Sequence, residues 1–146
     1  MTNFQLLWNA TLVLSVGVAA LRGGRPEWAV AVACLLASLA TPLVQLGRYE
    51  QTEIGVMLVD LTLLAVVAGV ALTSNRFWPL WALGFHAVGA TIHLARMAQP
   101  MIVPTAYANA AAFWSYPVLL ALLFGSWNAK KLDQPPPRRS QFNRGI

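Results

Sequence analysis

Hydrophobic and polar positions alternate along this chain in long blocks. Five apolar runs, at about 4–21, 28–46, 54–73, 77–97 and 106–127, are separated by short polar breaks. None carries the polar back of an amphipathic soluble helix. From Ile54 to Thr73 the sole charge is Asp60, and from Phe77 to Ala95 there is none. About 20 such residues at ~1.5 Å per residue match the ~30 Å hydrocarbon thickness of a bilayer. The pattern predicts an all-α fold, an integral membrane bundle of five transmembrane helices.

The breaks RGGRPE, GRYEQTE, SNR and AQPMIVPT are too short to hold a domain, so successive helices should be antiparallel neighbours. The fourth break, with Pro100 and Pro104 around Met101–Val103, should lie flat at the outer surface. After Trp127 the composition changes to NAKKLDQPPPRRSQFNRGI. Three prolines and a cluster of basic residues cannot build a core. This divides the chain into a transmembrane domain, 1–127, and a flexible Pro/Arg-rich cytoplasmic tail, 128–146. Lys130, Lys131, Arg138 and Arg139 in that tail are candidates for contact with anionic lipid headgroups, and Pro135–Arg139 for docking a cytosolic partner.

Composition agrees with the pattern. Of the 146 residues, 58% are hydrophobic and 10% charged, against about 25% charged in soluble domains. The sequence pI near 10.2 points to lipid headgroups and topology rather than nucleic acid, because the basic residues sit in loops and tail. The first run has no basic residue before it and so lacks the positive start of a cleavable signal peptide. With the N-terminus outside, Arg22, Arg25, Arg76, Lys130, Lys131, Arg138, Arg139 and Arg144 fall on the cytoplasmic side, and only Arg48 and Arg96 outside. That bias favours an outside N-terminus and a cytoplasmic C-terminus. Trp28, Trp78 and Trp127 at predicted inner ends, and Tyr49 and Tyr107 at predicted outer ends, suit an interfacial aromatic belt.

Charge inside the spans is where chemistry should be sought. Asp60 costs about 2.5–3.5 kcal/mol to insert, so it should face the bundle interior and find a partner or a proton. The next span offers His86 and His93. Measured from span midpoints, Asp60 lies ~5 Å to the outer side, His86 near the centre and His93 ~8 Å outward, so Asp60 falls between them in depth. Seven residues apart, the histidines share a helix face but are separated by ~10.5 Å along it. One metal ion with ~2 Å ligand bonds cannot take both. Each could serve as axial ligand to a haem or chlorophyll-type pigment, with Gly89 and Ala90 leaving room for a ring edge, but no further histidine is present to complete a bis-histidine haem. Cys34, the lone cysteine, excludes an intramolecular disulfide and reads as a small buried hydrophobe.

Other polar residues extend the pattern. Asn9, Thr41, Gln45, Asp60, His93 and Asn109 all fall in the outer halves of their spans, which suggests a small wet vestibule opening outward. In the last span, Pro117 beside Tyr116 frees the carbonyl of Phe113 and should kink the helix at the depth of His86. The intramembrane polar cluster expected from these residues is Asp60, His86, His93, Asn9, Asn109 and Tyr116. Ala106, Ala108, Ala110, Ala111 and Ala112 should form a close-packing surface.

No phosphate-binding glycine loop, HExxH, CxxC or nucleophile motif occurs, and no enzymatic activity is expected. The segments NRFWPLW, HLA at His93–Ala95, and WSYPVLL followed by GSW resemble small uncharacterised polytopic membrane proteins of alphaproteobacteria, over roughly residues 53–127. The resemblance implies a bacterial inner membrane and brings no activity or site residues with it. Little extramembrane mass and no catalytic constellation favour an accessory or scaffolding subunit of a larger membrane complex, with other membrane subunits as partners. Two alternatives stand beside it: a proton or small-solute transport protein using Asp60 with His86 or His93, and a haem- or pigment-binding subunit.

Overall fold

The computed structural model describes residues 3–45 and 52–132. Arg48, Tyr49, Arg138, Arg139 and the end of the tail lie outside the described residues. Helices run Asn3–Arg22 (α1), Arg25–Val44 (α2), Ile54–Thr73 (α3), Trp78–Ala98 (α4), Pro104–Phe113 (α5) and Ser115–Leu132 (α6), and no strand occurs among the described residues. The last two form one rod broken at Trp114, so the architecture is five rods.

Four of these rods are long and apolar enough to cross a membrane: Gln5–Arg22, Arg25–Val44, Ile54–Thr73 and Pro104–Lys130. This is the signature of a membrane-embedded, multi-pass helical protein. The fourth run, expected as a span, forms a 21-residue helix of the right length but is not among these four. His86, His93 and Arg96 are the reason, and all three are buried. What α4 lacks in apolar character it spends on contacts inside the protein. Outward-facing positions elsewhere are large and apolar, with Leu72 84% and Leu43 80% exposed, as a surface solvated by lipid requires.

The rods close into a ring. α1 packs on α2, α2 on α3, α3 on α4, α4 on α6, and α6 back on α1, while α5 leans on α4. One half of the ring is solid. Ala19, Val30, Val67, Trp78, Ala82 and Leu122 fill the half nearer Trp78. Gly125 of α6 permits this: a β-carbon there would overlap the Trp78 indole.

The break at Trp114 has a local cause. Pro117 cannot donate to the preceding turn, and the Ser115 hydroxyl donates to the Ala112 carbonyl at 2.6 Å. The Trp8 indole donates in turn to Ser115 Oγ at 2.7 Å, which pins the break to α1. Ser15 Oγ, donating to Leu119 O at 3.0 Å, adds a second tie between these helices. Helix α6 continues to Leu132, past the change of composition at Trp127.

Candidate functional site

The hollow half of the ring carries the chemistry. Helix α3 brings Asp60 against both histidines of antiparallel α4, using two different groups of the same residue. His86 Nε2 donates to the Asp60 backbone carbonyl at 2.9 Å, and His93 Nε2 meets Asp60 Oδ2 at 2.9 Å. The depth estimate left either pairing open. Both form, because the backbone carbonyl points along the helix axis one way while the side chain reaches the other.

His93 is completely buried, and its second nitrogen is also used: Nδ1 lies 2.7 Å from the Tyr107 hydroxyl. The rings of these two residues meet edge to face, with centroids 5.6 Å apart. An ionised carboxylate only accepts, so opposite ionised Asp60 the hydrogen sits on Nε2. A neutral imidazole then accepts the Tyr107 O–H at Nδ1. The Tyr107 oxygen receives the Glu53 backbone N–H at 3.4 Å. The result is a directional chain, Glu53 N–H to Tyr107 O–H to His93 to Asp60. Arg96 closes the same end: buried, it donates to the carbonyls of Pro100 and Ile102, and its guanidinium stands 5.9 Å from the Tyr107 ring centre.

Asp60 differs from its partners in being partly open, with its side chain 26% exposed. Oδ1 accepts no hydrogen bond from the described residues. The carboxylate and His86 line a cavity of about 440 Å³ inside the ring. Gln5, Asn9, Ser38 and Thr41 make the cavity polar at one end, and Leu12, Leu63, Val118 and Leu119 form its apolar floor. Thr41 satisfies its own hydroxyl on the Ala37 carbonyl.

The expected polar cluster is therefore divided. Asp60, His86 and His93 come together, and Asn9 joins Asp60 and His86 on the cavity wall. Asn109 is exposed and Tyr116 is absent from the wall, where its neighbour Ser115 stands instead. Lys130 is exposed on the last turns of α6. Ala111 and Ala112 line the cavity, and Ala106 is exposed.

Several residues of the buried polar network escaped the sequence reading, Glu53 among them. Tyr107 and Trp78 look like interfacial aromatics, and Arg96 like a loop charge, since each stands at a helix end. The structure buries all three. Glu27 also looks like a loop charge, yet it is fully buried. It accepts from its own Gly24 N–H at 2.9 Å and from the Trp78 indole at 2.8 Å, with Arg76 Nε 3.8 Å away. The available signal is the spacing Gly24–Glu27, a reach-back of a residue at the third helical position to the cap.

The geometry also tests the haem or pigment expectation. Both Nε2 atoms are engaged on Asp60, and His93 has neither nitrogen to spare. The gap expected at Gly89 is filled by Trp114, whose Cβ lies 3.2 Å from where a Gly89 β-carbon would stand. His93 therefore does not fit as an axial ligand, and the space expected for a ring edge at Gly89 is closed. Among the described residues no group of three or more His, Cys, Asp or Glu is placed to hold a metal ion.

Comparison with protein-family models, with curated proteins and with solved structures finds no match to this chain.

Proposed function

We propose that this chain is a small transport protein of a bacterial inner membrane, in which Asp60 is the proton-binding group of a solute cavity. One observation carries the reading. A carboxylate inside a membrane bundle is anchored through one oxygen on buried His93, while its remaining surface faces a cavity of about 440 Å³. A carboxyl group with only a structural duty would be sealed by its partners, as Glu27 is. An ionisable residue at such a position marks a proton or solute pathway. His93, held by Tyr107, stabilises whichever form of Asp60 the cavity contents demand.

All five rods cross the bilayer in this reading, α4 carried by its polar contacts to α3 and α5. The N-terminus is outside, the C-terminal tail is cytoplasmic, and Lys130 and the basic tail meet anionic headgroups. The withdrawal of Arg96 into the protein supports that orientation, because it removes a positive charge from the outer loops. The packed half of the ring then closes the cytoplasmic end, and the cavity faces outward.

The test is flux. Full-length protein in vesicles with an imposed pH gradient should move protons, with or without added solute, and Asp60→Asn should abolish the movement. Absence of flux in the native protein, with stoichiometric membrane partners recovered in a mild-detergent pull-down, returns the function to an accessory or scaffolding subunit.

A further inference from the structure

We infer that the cavity takes a small amphipathic organic cation, an ammonium group attached to an apolar body. This rests on the reading of the cavity as a solute site and names the class of solute. Charge decides the head group. Among the described residues no Lys or Arg lines the cavity, and the carboxylate on its wall is Asp60. An anion would be repelled by that carboxylate, and a neutral ligand would leave the face of it that His93 does not reach unpaired in a low-dielectric wall.

Hydrogen-bonding roles agree. His86 Nε2 must donate, because its partner is a backbone carbonyl. In the neutral ring Nδ1 is therefore an acceptor. Asp60 Oδ1 is a second acceptor, and the two belong to residues already in contact. An ammonium group, with several N–H donors and no acceptor, suits a wall that offers acceptors. Trp8, whose indole N–H is committed to Ser115 Oγ, adds an aromatic ring to the wall, which organic cations favour.

Shape decides the rest. Leu12, Leu63, Val118 and Leu119 floor the cavity in the ring interior, so an apolar body can lie on them while the head stays at Asp60. The volume of about 440 Å³ lies within the ~300–1,000 Å³ usual for small-molecule sites.

Three probes of one shape separate charge from hydrophobicity: benzylamine, benzyl alcohol and benzoate, titrated calorimetrically into full-length protein in detergent. Benzylamine should bind at least about tenfold more tightly than benzyl alcohol, with benzoate weakest. Asp60→Asn should erase the preference. Ala112→Phe, which fills the cavity without touching Asp60, should abolish benzylamine binding and keeps the test open if the Asp60 variant fails to fold. Equal affinities for the three probes, no benzylamine binding, or binding that survives Ala112→Phe overturns the inference. Asp60-dependent benzylamine binding without proton flux would uphold the ligand class and overturn the transport reading. Proton flux without cation preference would do the reverse.

Discussion

Glu27 in one half of the helix ring and Asp60 in the other are carboxylates that the fold treats in opposite ways. At the Trp78 end, Glu27 is fully enclosed, held by two fixed donors, and surrounded by packed apolar side chains and the Gly125 contact. At the Tyr107 end, Asp60 keeps 26% of its side chain open to a cavity, although its partners His93 and Tyr107 are sealed. Donor type explains much of the contrast. A backbone N–H and an indole N–H can only donate, so Glu27 is fixed as an acceptor in one arrangement. Imidazole and phenol can reverse roles, so Asp60 sits in a network that accommodates either protonation state. One half is a latch, and the other, in the proposed reading, is a site.

Four variants separate latch from site by stability and activity. Glu27→Ala removes the acceptor of the Trp78 indole and of the Gly24 N–H. It should cost about 3 kcal/mol in thermal unfolding in detergent while leaving flux per folded molecule unchanged. Loss of flux without loss of stability would erase the distinction. Gly125→Ala forces a methyl into the Trp78 ring and should cost about 1–3 kcal/mol in the same measurement. An unchanged melting temperature would mean that the packed half yields easily.

Tyr107→Phe leaves buried His93 Nδ1 without its hydroxyl and should cost about 1–2 kcal/mol. It should also displace the pH dependence of flux, which a purely structural tyrosine would not do. Asp60→Asn should alter stability by under about 1 kcal/mol, since an amide keeps an oxygen for His93. Its effect on flux should nevertheless be complete. A melting loss as large as that of Glu27→Ala would make Asp60 a second latch.

The rods were legible because a helix bathed in lipid must be apolar all round, and hydropathy alone carries that signature. Helix α3 begins and ends where the pattern placed it, at Ile54 and Thr73. The encounter of Asp60 with His86 and His93 was half legible, since antiparallel neighbours share depth. Helix rotation about the axis was not. Asn109 lies at a suitable depth and points out, whereas Tyr107, two residues earlier, points in. Depth follows from counting residues, but azimuth depends on packing.

Helix ends were read least well, for a related reason. Tyr107, Trp78, Arg96 and Glu27 are amphipathic or charged residues at bilayer boundaries, where the interface and the protein interior compete for them. Composition favours the interface, and neighbouring helices prevailed in all four cases. Apolar length and polar placement thus establish a multi-pass helical membrane protein with its ionisable groups on α3 and α4. Closure of the rods into a ring, solid at one end and hollow at the other, is a property of side chains meeting across helices. Gly125 beneath Trp78 and the Ser115 break held by Trp8 are such meetings. They turn Asp60 from a costly residue in a span into a carboxylate on a cavity wall.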